Sequence, residues 1–204
     1  MGRIPAQVSV RRPALLEFIL SNQEVWRGPA KVRTRLLRRM RVFGFAGWSG
    51  SGKTTLIEAL VPRFTRAGLV VSLVKHAHHS FDVDQPGKDS YRHREAGCKE
   101  VMVSSEKRWV IQHELRGDPE PALERQIERM SPCDLLLIEG YKRYPMPKLE
   151  VYREANGKPL LHPEDPHIVA VAADVPLPTK LPRFDLDEYD RIADFVLAHT
   201  QLRR

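Results

Sequence analysis

The sequence predicts an α/β fold in three layers, a mostly parallel sheet with helices on both faces. Three observations carry this expectation. Apolar runs of strand length alternate with amphipathic stretches of helix length from Val42 onward. One run, CDLLLIEG at 133–140, is continuously apolar, as a strand covered on both faces should be. A glycine-rich turn, GWSGSGKT at 47–54, then joins an apolar run directly to a helical stretch.

The 204 residues carry a net charge of +7, and it is unevenly placed. Ten Arg and Lys side chains face only Glu17 and Glu24 before Val42, so the rest of the chain is close to neutral. PALLEFIL has the composition of a short apolar helix, whereas RGPAKVRTRLLRRM is a breaker followed by a cationic run. Residues 1–40 are therefore expected to be a basic extension, poorly ordered or outside the core fold, with one nucleotide-binding domain over 41–204. A basic arm for nucleic acid or acidic lipid is the rival reading. An organellar transit peptide fits less well, because hydroxyl residues are scarce. Met40 directly precedes RVFGFAG, so a later start there would begin the domain at its first strand.

Residues 42–46 read as a buried strand, and 53–67 as a helix presenting Leu56, Ile57, Leu60 and Phe64 on one face. Gly68 is the expected terminator. Pro62 predicts a kink or an early stop, since a helix-interior proline costs ~3 kcal/mol. LVVSLVKH (69–76) is a strand, followed by a polar loop (77–89), a helical SYRHREAG ending at Gly97, and strands in EVMVSS (100–105) and KRWVIQHEL (107–115). PEPALERQIERM (119–130) has a proline-led helical composition. KLEVYRE and HIVAVAAD supply strands after 133–140. LDEYDRIADFVLAHT closes the chain as an amphipathic helix with Tyr189, Ile192, Phe195 and Val196 inward. No run approaches the ~20 apolar residues of a membrane span, and no secretory signal is evident, so a cytoplasmic protein is expected. Cys98 and Cys133 lie far apart and outside any C-x-x-C pattern, which points to packing residues rather than a disulfide or zinc site.

The residues Gly47 to Thr54 fit G-x-x-x-x-G-K-[ST] at every constrained position. Such a loop curls its backbone N–H groups around phosphate oxygens, and glycines keep side chains out of the way. Gly47, Ser49, Gly50, Ser51, Gly52, Lys53 and Thr54 are the expected nucleotide-binding set. Lys53 supplies a cation for the outer phosphates, Thr54 a hydroxyl for Mg²⁺, and the helix its positive dipole end. Lys53 and Glu139 are the expected catalytic pair. Glu139 is delivered at the carboxyl end of its strand, where ligands of parallel sheets sit, to hold magnesium-bound water or orient the attacking one. Asp134 starts that strand and should lie at the far end. Among Asp82, Asp84 and Asp89 in the loop after the second strand, Asp89 is the preferred further magnesium contact. His76, His78 and His79 are too close in sequence to converge on one zinc ion.

With the phosphate loop, LVKHAHHSFDVDQPGKDSYRHREAG, LLLIEGYK and IVAVAADVP in order, the chain from about Val42 onward resembles the MobB family, the molybdopterin-guanine dinucleotide biosynthesis adaptor proteins. The resemblance implies a GTPase-like P-loop fold, GTP and Mg²⁺ binding, weak GTP hydrolysis and a homodimer. It also implies a supporting role beside the molybdenum cofactor guanylyltransferase that joins GMP to molybdopterin, with molybdopterin itself a candidate ligand. The family's phosphate-loop roles fall on Gly47 to Thr55, and its acidic strand end on Glu139 and Gly140. No N-K-x-D tetrapeptide is present to read guanine. Asp174, at the end of AVAAD, can accept from N1–H and the amino group of that base, or serve simply as a turn aspartate before Pro176. GWSGSGKTT and LLLIEG also resemble pieces of uridine-kinase-like enzymes, so a small-molecule kinase is the alternative, although no arginine-bearing lid is evident. A nucleic-acid module acting through the basic arm is a third reading, which salt-sensitive binding would reveal.

Overall fold

The computed structural model describes residues 40–77 and 81–202. The extension up to residue 39, with His78 and His79, lies outside the described residues. In chain order the elements are β1 (Arg41–Ala46), α1 (Lys53–Arg66), β2 (Val71–Lys75), α2 (Asp89–Glu95), β3 (Glu100–Ser104), β4 (Trp109–His113), α3 (Leu123–Glu128), β5 (Leu135–Glu139), β6 (Lys148–Tyr152), β7 (Ile168–Ala173), β8 (Arg183–Asp185) and α4 (Tyr189–His199). They fall into two units, one of residues 40–76 with 130–202 and one of residues 77–129.

The first unit is a six-stranded sheet of order β2-β5-β1-β6-β7-β8, with every neighbouring pair parallel. Parallel neighbours need long crossovers, and α1 supplies the one from β1 to β2. Its apolar stripe is the expected one: Leu56, Ile57, Leu60 and Phe64 are all buried. They share a core with Phe43, Phe45, Leu135, Leu137, Leu149 and Val151 of the sheet and Ile192, Ala193 and Val196 of α4. Phe195 and Tyr189 pack at its margin. Leu136, Ile138 and Val171 point to the opposite face and are buried too, so the sheet is covered on both sides. The short β8 pairs with β7 at the edge, a strand that the sequence analysis did not anticipate.

Pro62 does not end α1, which runs on to Arg66. The carbonyl that loses its backbone donor is that of Glu58, while two side chains add bonds to neighbouring carbonyls. Arg63 donates to the Ala59 carbonyl at 2.8 Å and Arg66 to the Pro62 carbonyl at 3.1 Å. Gly68, at φ 79°, takes the left-handed conformation that terminates the helix.

The second unit contains α2, α3 and a two-stranded antiparallel sheet of β3 and β4. The turn between these strands closes through Ser105 N–H on the Arg108 carbonyl at 2.8 Å, too short a connection for parallel pairing. Arg94 of α2 organises the loop before it. Its guanidinium donates to both oxygens of Asp82 at 2.9 and 2.7 Å and to Glu114 at 2.7 Å, and lies 3.4 Å from Asp84. The two cysteines diverge. Cys133 is buried as expected, whereas Cys98 is exposed, because it follows the helix-ending turn at Gly97 instead of packing in a core.

Candidate functional site

The loop after β1 leaves the middle of the sheet at its carboxyl edge. Gly47, Gly50 and Gly52 all have positive φ. At Gly47 the reason is a close approach: a β-carbon would stand 2.4 Å from the Val151 carbonyl oxygen and 2.7 Å from Ser51 Oγ. At Gly52, φ 94° sets the left-handed turn from which α1 starts, and no side chain caps the helix. The first free amides of α1 therefore face the loop unpaired by any cap. The Ser51 hydroxyl, almost fully buried, has no hydrogen-bond partner among the described residues. A concave loop of amides, an uncapped helix start and an unsatisfied buried hydroxyl fit an anionic polyphosphate.

Lys53 bends back over this loop, its ammonium donating to the carbonyls of Gly47 at 3.0 Å and Trp48 at 2.8 Å. Two of its three N–H donors are thus engaged. Burial holds the ammonium below the ordinary lysine value, Glu139 opposes this, and Lys142 and Lys75 push in the same direction as burial. An arriving anion would reverse that shift.

Strand register brings the acidic partner in. Phe45 of β1, Glu139 of β5 and Lys75 of β2 lie side by side at the carboxyl ends of their strands. Glu139 Oε1 accepts from Thr54 Oγ1 at 2.8 Å, and Lys75 stands 3.3 Å away. A carboxylate and a hydroxyl oxygen brought together in this way form a hard donor set of the kind Mg²⁺ takes. Asp134 sits at the other end of β5, accepting from Val70 N–H at 2.8 Å.

Asp174 directly follows β7 and accepts from Glu154 N–H at 2.9 Å, with Arg153 3.9 Å away. It lines a cleft of about 810 Å³ together with Gly52, Thr55, Arg153 and Tyr189. Asp174 thus holds a turn and also faces the cleft that begins at the phosphate loop. Ser49 accepts from Asn156 Nδ2 at 3.3 Å through its carbonyl, which ties the loop to the turn after β6. Asp89 belongs to the second unit, where it opens α2 with a side chain 91% exposed and 3.8 Å from Arg92. Its two rivals, Asp82 and Asp84, are committed to Arg94.

Three side chains around the loop were not singled out from sequence. Lys75 touches Thr54 at 3.2 Å. Lys142 lies over the Trp48 ring, 4.1 Å from its centroid, while the indole N–H donates to the Pro159 carbonyl at 2.8 Å. Arg153 closes on Gly52, its Nη2 3.5 Å from where a β-carbon would be. The YK after LLLIEG was the available signal for Lys142; nothing local marked Arg153.

Comparison with known proteins decides the family. The sequence profile described as "MobB: Molybdopterin guanine dinucleotide synthesis protein B" matches residues 42–174. The chain belongs to the MobB family. The molybdopterin-guanine dinucleotide biosynthesis adapter protein of Escherichia coli is 40% identical over 166 residues, 78% of this chain and 93% of that relative. The crystal structure of Bacillus subtilis MobB superposes with a TM-score of 0.63 at 25% identity, covering 78% of this chain and 98% of that one. A uridine kinase of Leuconostoc citreum is more distant, 28% identical over 109 residues and 48% of this chain. The P-loop fold of a mostly parallel sheet agrees with these likenesses.

Proposed function

We propose that this MobB protein is a GTP-binding adaptor with at most weak GTPase activity, which assists attachment of GMP to molybdopterin in molybdenum cofactor biosynthesis. The observation that carries this reading is the joined geometry of the phosphate loop and the Thr54–Glu139 pair. Adaptor proteins of this name among its relatives support the pathway. In this reading the amides of Gly47 to Thr55 hold the triphosphate, with the Ser51 hydroxyl gaining the partner it lacks. Lys53 exchanges the Gly47 and Trp48 carbonyls for phosphate oxygens. Asp174 reads the base from the cleft wall. Thr54 and Glu139 would hold Mg²⁺. When bound, the ion neutralises charge on the outer phosphates. Glu139 would hold magnesium-bound water or orient the attacking one.

The partner is a guanylyltransferase acting on molybdopterin, and molybdopterin itself is a candidate ligand. A cytoplasmic setting fits a chain in which no described helix is long and apolar enough to cross a membrane. A homodimer fits the β3–β4 sheet, whose Met102, Val103, Trp109, Val110 and Ile111 are exposed. Two-stranded sheets are marginally stable alone, and a second copy would cover those side chains.

Calorimetric titration of GTP and ATP in magnesium, with and without purified guanylyltransferase, tests the proposal. Magnesium-dependent GTP binding that the transferase modulates is the expected result. Stoichiometric phosphorylation of an added nucleoside would establish the kinase reading instead.

A further inference from the structure

Lys75 ends β2 in direct register with Glu139 of β5. Its ammonium lies 3.2 Å from Thr54 Oγ1 and 3.3 Å from Glu139 Oε1, and Thr54 Oγ1 donates to that same carboxylate oxygen at 2.8 Å. The three groups form a closed triangle. Two of its corners are the oxygens assigned above to the metal.

The corners differ in freedom. The Glu139 side chain is 7% exposed, in a strand with neighbours on both sides, whereas that of Lys75 is 54% exposed. The fold therefore fixes the carboxylate and leaves the ammonium a way out to water. A carboxylate this buried needs a positive partner, because an unpaired buried charge is costly. A divalent ion on the same two oxygens would stand within a few ångströms of the ammonium, where like charges repel. Lysine and metal cannot hold the pair together.

We propose that Lys75 is a built-in cation for the Thr54–Glu139 pair: it neutralises Glu139, competes with a divalent metal for the two oxygens, and is displaced towards the outer phosphates when the metal binds. Lys75 is thus a positioning residue for both metal and nucleotide. The inference rests on the nucleotide-site reading above and adds a residue and a competition to it. A lysine that only secured the edge of β2 would have no need to reach Thr54.

The test uses the full chain with Lys75→Met, Lys75→Gln as a second neutral variant, and Lys75→Arg as the conservative one, each first checked for an unchanged far-ultraviolet spectrum. Mn²⁺ affinity without nucleotide is read by electron paramagnetic resonance, and GTP affinity in EDTA by calorimetry. Removing the ammonium should tighten Mn²⁺ and weaken metal-free GTP by about three- to tenfold each, a size set by a half-exposed ion pair. Lys75→Arg should stay near wild type in both. These opposed shifts are the signature, since general damage to the site would weaken both ligands together. Parallel weakening, or no change in either ligand, overturns the proposal. Wild-type protein that binds no GTP with or without metal overturns the nucleotide-site reading itself and takes this proposal with it.

Discussion

Lys53 is poised between loop carbonyls and an anion, and its protonation makes the balance measurable. Burial holds its pKa below the ordinary lysine value of 10.5 in the free protein, and a bound polyphosphate raises it. Affinity should therefore be full at pH below the free value, fall as pH climbs from the free towards the bound value, and level off above. Calorimetry in buffers of different ionisation enthalpy should show proton uptake on binding across that alkaline window. Proton release there would contradict the assignment. Asp174 carries a second residue-level prediction. Asp174→Ala should flatten any preference for GTP over ATP, as read by competition binding, whereas Asp174→Asn should keep the Glu154 N–H contact through its amide oxygen. An unchanged preference in the alanine variant removes Asp174 as the base reader. Lys53, Thr54 and Glu139 were legible in the sequence because a short motif and an apolar run announce their positions. Lys75, Lys142 and Arg153 were not, because only the strand order and the turns after β5 and β6 bring them to the loop.

At the scale of elements, β6 and the segment before it depend on one buried cation. Lys148 is fully buried, paired with Asp165 at 2.7 Å and donating to the carbonyls of Lys142 at 2.8 Å and Tyr144 at 2.7 Å. All three donors of its ammonium are satisfied. Lys148→Met should destabilise the fold by about 3–5 kcal/mol, since Asp165 loses its partner in a mostly buried site. Denaturant unfolding measures this, and adding Asp165→Asn should recover part of the loss. A loss below about 1 kcal/mol would mean that solvent reaches Asp165 freely. The strands of the main sheet could be read from their apolar runs, and α1 and α4 from their periodicity. β8 could not, being three residues long beside a proline, and its pairing comes from β7. Pro62 misled as a stop signal, because the buried stripe Leu56, Ile57, Leu60 and Phe64 outweighs one missing backbone bond.

For the whole molecule, the proposed boundary lies at Met40, which is buried with 2% of its surface exposed, so the described fold reaches at least to it. Deleting residues 1–39 should leave both thermal stability and nucleotide affinity within about twofold, roughly 0.4 kcal/mol. A larger loss would place the basic extension in the site. Sedimentation equilibrium should find a dimer, and Trp109→Glu together with Ile111→Glu should shift it to monomer without loss of nucleotide binding. The antiparallel pairing of β3 with β4 was beyond the sequence reading, which found two strands but no signal for a sheet of their own. The central claim is that the loop from Gly47 to Thr54, closed by Lys53, holds a purine triphosphate. Its most direct measurement is calorimetric titration of GTP with magnesium into wild-type protein and Lys53→Ala side by side. The account predicts saturable binding by the first and a loss of about a hundredfold or more in the second, as expected when a partly buried charge partner of phosphate is removed. Equal affinities, or no binding by the wild type, would contradict it.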